Sequence, residues 1–169
     1  MIISSKQLGD VTIKAIKRQN DHEGIPYVES SNIYLNNKKV GTYCENYMAG
    51  PLEVEINDNA NETIVKIAKA YLKKYPFGFL KKNNFSLEDL YDTNPEECLC
   101  DELILMSDIE KEAKKTFKKG YEFFAVTRKS KNHCLQYWSI PNKNGLAKVK
   151  MENEVLFVAS SEKDFIFEI

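Results

Sequence analysis

The chain has 169 residues, enough for one ordinary core and short for two full domains. Hydrophobic residues make up 43% and charged residues 29%, a balance that excludes intrinsic disorder. With 24 basic and 25 acidic side chains the net charge is -1, so the uniform basicity typical of nucleic-acid binders is absent.

Cys44, Cys98, Cys100 and Cys134 do not form the disulfide framework of a small secreted domain. The opening residues lack a basic segment followed by a long apolar one, so no signal peptide is expected. No apolar run approaches membrane-spanning length. The expectation is a cytoplasmic protein with free thiols and no membrane partner.

Residues 11–18 read as a first strand, with Val11, Ile13 and Ala15 on one face. A polar turn over 19–24 leads to Tyr27-Val28 and a hairpin. Its arms are Ile33, Tyr34 and Leu35, then Val40, Thr42 and Tyr43. Asn36 and Asn37 tolerate the positive φ of a tight reversal. After a loop, Gly50-Pro51 turns the chain into 52–56, where apolar and acidic residues alternate as in a strand with one wet face. The first four strands form an expected antiparallel meander.

A helix should open at Asn59, with Glu62 completing a capping box. Ile64, Ile67, Ala68, Tyr71, Leu72 and Tyr75 form its apolar stripe, which would cover the meander, and Pro76 stops it. Residues 77–85 connect to a short helix over 86–91. Asn94-Pro95-Glu96-Glu97 is a strong helix start, followed by Leu99, Leu103 and Met106. Ser107 to Glu110 is a second capping box, so the helix either breaks there or runs on to Gly120, which would end it as a C′ glycine. Strands are expected over 121–127, 135–140, 147–151, 155–159 and 165–169, with a basic loop over 128–134 and a turn over 142–145. Strands, helices and strands in that order predict an α+β fold. Two units are expected, 1–76 and 77–169, either distinct or one continuous domain.

Each candidate for chemistry competes with a structural role. A metal centre would need Cys98, Cys100, His133 and Cys134 to converge; buried thiols beside a surface histidine are the commoner outcome. Adjacent His133 and Cys134 on one strand would point to opposite faces, against a nucleophile–base pair. Glu97 and Asp101 lie four apart on the expected helix, where paired acids hold a cation or simply favour the helix dipole. No cofactor, metal or catalytic residue is expected, and the chain is read as no enzyme. Arg128, Lys129 and Lys131 with Trp138 would suit a nucleotide or a single strand by charge and stacking, against a solvated basic face. Tyr43, Tyr47 and Met48 around Gly50-Pro51 would suit a protein contact, against a loop folded onto the domain.

The run IYLNNKKVGTY, residues 33–43, followed by a glycine-containing loop, resembles a family of small, largely uncharacterised proteins carried by phages and other mobile elements. Those pair a YVNGKKVG hairpin with a glycine-rich loop and a helix. Asn37 stands here where their turn glycine would be, and Tyr47-Met48-Ala49-Gly50 replaces a denser glycine loop. The resemblance implies a phage or mobile-element protein that binds a host protein, a defence protein among the candidates. The expected partner surface is Tyr43, Tyr47, Met48, Glu97 and Asp101. The alternative is a nucleotide or nucleic-acid module built on Arg128, Lys129, Lys131 and Trp138.

Overall fold

The computed structural model describes residues 2–3, 7–8, 10–45, 53–80, 94–128, 135–165 and 167–168. The fold is α+β. Strands β1 (Ile2–Ile3), β2 (Gln7–Leu8), β3 (Val11–Asn20), β4 (Pro26–Leu35), β5 (Lys38–Cys44) and β6 (Glu53–Ile56) precede helix α1 (Asp58–Lys74). Helix α2 (Pro95–Lys118), strands β7 (Phe123–Arg128) and β8 (Leu135–Ile140), helix α3 (Lys143–Glu152), strand β9 (Glu154–Ala159), a 3-10 turn (Glu162–Phe165) and strand β10 (Phe167–Glu168) follow.

The meander is a sheet in the order β2-β3-β4-β5-β6, every pair antiparallel. Asn36 and Asn37 take φ of 51° and 63°, so the hairpin closes through two left-handed asparagines. Strand β3 is broken by an irregularity after Lys14, where Ala15 takes φ of 54°. That is a left-handed conformation disfavoured for any residue with a Cβ. Between β5 and β6 the backbones approach closely: a Cβ on Gly41 would stand 2.2 Å from the Glu55 carbonyl oxygen. Among the described residues strand β6 ends the sheet, with Glu53 and Glu55 exposed.

Helix α1 opens at Asp58, within the stretch its sequence marks, but its cap position is Asn57 and not Asn59. The Asn57 amide donates to the Val40 carbonyl at 2.8 Å, completing the ladder. The Asn57 carbonyl then accepts from Ala60, so the chain passes from strand to helix without the expected Asn59 cap. Helix α2 does not break at Ser107. Its buried stripe of Leu99, Leu103, Met106, Ile109 and Ala113 continues through that point, and Gly120 follows its end at φ of 82°. One cluster of buried side chains joins Val11, Ile13 and Ile33 of the first sheet, Ile64 and Ala68 of α1, this stripe, and Phe124 and Val126 of β7.

Three expectations for the last third are corrected. Residues 142–145, expected as a turn, are the cap and first residues of α3. Residues 147–151 are helical, because the Asn142 side chain caps the Gly145 amide at 3.0 Å and Val149 packs against Ala125 and Ile140. The three-stranded sheet β8-β7-β9 thus has its second face covered by α3. Of the strand expected over 165–169, Phe167–Glu168 do not join that sheet; they form β10, which pairs antiparallel with β1, Ile3 opposite Phe167. The expected helix over 86–91 lies outside the described residues.

Candidate functional site

The N-terminal end of α2 carries the densest set of polar and reactive groups. Asn94 precedes the helix and Pro95 occupies its first turn, which needs no amide there. Glu96 and Glu97 follow, where the helix dipole favours negative charge. One turn on, Asp101 is exposed yet fixed: the hydroxyl of Tyr43 donates to its Oδ1. Tyr43 belongs to the core, with 0% of its surface accessible, and so presents no face to a partner. Its phenol is pushed far above the ordinary range by burial and by the charges of Asp101 and Glu45. The Glu45 carboxylate accepts from the Val28 amide at 2.5 Å, and so locks the end of β5 to β4.

Three expected site residues are therefore brought together: Tyr43, Asp101 and, four residues before it on α2, Glu97. Burial and the neighbouring Glu96 hold the Glu97 carboxyl above its usual range, partly offset by a hydrogen bond with Asn94. Glu96 Oε2 is buried and has no hydrogen-bond partner among the described residues. Tyr47 and Met48 lie outside the described residues, as do Lys129, Lys131, His133 and Cys134.

The thiols of this end are poor nucleophiles. Cys98 is pushed up to about 12, by burial first and then by Asp101 and Glu97. Cys100 is buried and raised by the same causes. A thiol reacts as its thiolate, and this acidic, apolar setting disfavours that form. Among the described residues no group of three or more His, Cys, Asp or Glu is arranged to hold a metal ion.

Glu102, close to the expected pair Glu97 and Asp101 and a candidate for the same acidic face, is instead buried at 4% exposure. Its Oε2 accepts from the Tyr71 hydroxyl at 2.5 Å and from the Phe79 amide at 3.0 Å. It falls on the same helical stripe as Leu99 and Met106, and an acid in an apolar stripe was the available signal.

The two described residues of the alternative site, Arg128 and Trp138, are engaged internally. Trp138 donates its indole N–H to Thr127 Oγ1 at 2.8 Å and packs against the cluster under α3. Arg128 is 10% exposed at its side chain, with Nε 3.7 Å from Glu154 Oε2. A stacking platform needs an open ring face beside free positive charge. No protein family, curated protein or solved structure matches the chain.

Proposed function

We propose that the protein is a non-enzymatic binding protein, encoded by a phage or mobile element, that acts on a host macromolecule by occluding it. The observation that carries the reading is the bond from Tyr43 to Asp101, which spans 58 residues of sequence. It holds the acidic first turns of α2 beside the end of β5, the strand that leads to Tyr47 and Met48. Glu96, Glu97 and Asp101 give that surface a negative charge, so the fitting partner presents a basic patch. The resemblance of the hairpin supplies the setting: a host-defence protein in the cytoplasm.

Affinity capture from lysate of the natural host tests this. Capture of a basic protein by the wild type, lost in Glu97→Lys with Asp101→Asn and in Tyr47→Ala with Met48→Ala, supports the surface. Undiminished capture by both pairs of variants, each checked for a cooperative melt, rejects it. The nucleotide reading has less support, because Arg128 and Trp138 are held by Glu154 and Thr127. A change in Trp138 fluorescence with mononucleotides or short single strands would restore it.

A further inference from the structure

We infer that the cleft between the irregularity of β3 and the middle of α2 binds a small organic acid, its carboxylate on Arg18 and its apolar body on the half-buried Ile16. The inference goes beyond the proposed function and uses a different part of α2: Asp108 lies seven residues beyond Asp101, about 10 Å along the axis.

The cleft is about 470 Å³ and is lined by Ile13, Ile16, Arg18, Ser107, Asp108 and Lys111. That size suits a small molecule. It owes its shape to Ala15, whose left-handed conformation interrupts the pairing of β3 with β4 between Lys14 and Lys17. Such an irregularity re-aims the side chains that follow it. Arg18 is thereby turned toward α2 and meets Asp108, Nη2 to Oδ2 at 2.6 Å.

That contact engages one nitrogen of the guanidinium, which has five N–H donors in a planar fork. The pair is open to water, at 35% and 41% side-chain exposure. The remaining donors are therefore available to a second carboxylate, and Asp108 orients the fork. Ser107 lines the cleft beside Asp108. Lys111 adds a second positive charge at the rim. Lys14 is directed elsewhere, its ammonium 4.8 Å from the centre of the Tyr34 ring. Arginine favours carboxylates by geometry as well as charge, and the accessible part of Ile16 favours acids with a hydrocarbon body over small inorganic anions.

Titration of the full chain with hexanoate, hexanol and inorganic phosphate, followed by amide NMR shifts, is the test. Saturable shifts with hexanoate, centred on residues 13–18 and 107–111, are expected; hexanol and phosphate should produce little. Arg18→Gln should weaken hexanoate by about tenfold, as loss of a charge-assisted hydrogen bond implies. Asp108→Asn should tighten it severalfold, because it removes a like charge while keeping a side chain that bonds Arg18. The tightening also guards against a variant that merely unfolds. No saturable shift with hexanoate, equal shifts with hexanol, stronger binding of phosphate, or unchanged affinity in Arg18→Gln overturns the assignment.

Discussion

Tyr71 of α1 and Glu102 of α2 are joined in the interior by a hydrogen bond of 2.5 Å from phenol to carboxylate. The same oxygen takes the Phe79 amide, so three segments meet on one buried acid. Gly78 completes the arrangement at φ of 71°, where an added Cβ would stand 2.8 Å from Glu102 Oε1. Tyr71→Phe removes one donor and leaves the carboxylate under-satisfied. It should cost about 1–3 kcal/mol of stability, read from urea denaturation. A loss within measurement error would show that Glu102 finds another donor.

Gly41→Ala should be more local in its effect. The added carbon meets the Glu55 carbonyl oxygen, a backbone atom that cannot rotate aside. Strands β5 and β6 must separate, at a cost of about 1–3 kcal/mol by analogy with overpacking. Hydrogen exchange should show faster amides at residues 53–56. Protection equal to wild type would contradict the close approach.

Ala15→Gly runs in the opposite direction. Ala15 is exposed, so no packing is lost on removing its methyl group. Relief of the left-handed strain, about 1–2 kcal/mol, outweighs the extra entropy of glycine in the unfolded chain, about 0.5–1 kcal/mol. The variant should therefore be more stable by roughly 0.5 kcal/mol on those figures. A lower melting temperature would mean that Ala15 does not hold that conformation in solution.

The thiol of Cys98 gives a pH dependence. Its pKa rises from an ordinary 9.0 to about 12 on folding. Between those values the unfolded chain has lost the proton and the folded chain keeps it. This contribution is therefore fully present below about pH 9 and declines as pH rises toward about 12. Tyr43, raised by burial and by Asp101, acts in the same sense above its ordinary 10.0. Urea midpoints should fall between about pH 9 and about pH 11. Cys98→Ala and Tyr43→Phe should each flatten the decline. A midpoint constant across that range would reject both shifts.

Local signals made much of the fold legible. The paired asparagines of the hairpin, the start of α2 at Asn94-Pro95 and its end at Gly120 each follow from one turn or cap rule, and the stripe of α1 follows from helical periodicity. The sequence was misleading where two periodicities coincide. Ala147 and Val149 alternate with Lys148 and Lys150 as in a strand, yet only Val149 of α3 is buried, and the cap at Asn142 decides for helix. Tertiary pairing was also out of reach. Nothing within residues 165–169 indicates that β10 finds β1 rather than β9. At the candidate site the residue types were visible but their roles were not. Tyr43 read as a contact aromatic because its partner, Asp101, is 58 residues away. The cleft at Arg18 was invisible because it depends on a backbone irregularity at an alanine, where sequence rules look for glycine.

The outermost strand of the first sheet, β6, turns Glu53 and Glu55 to water. An unpaired rim of backbone donors and acceptors is a template on which another chain can crystallise into a fibre. Two copies meeting rim to rim would set acid against acid before any ladder forms. Self-association along that border is thus discouraged by charge, wherever the described strands leave it uncovered.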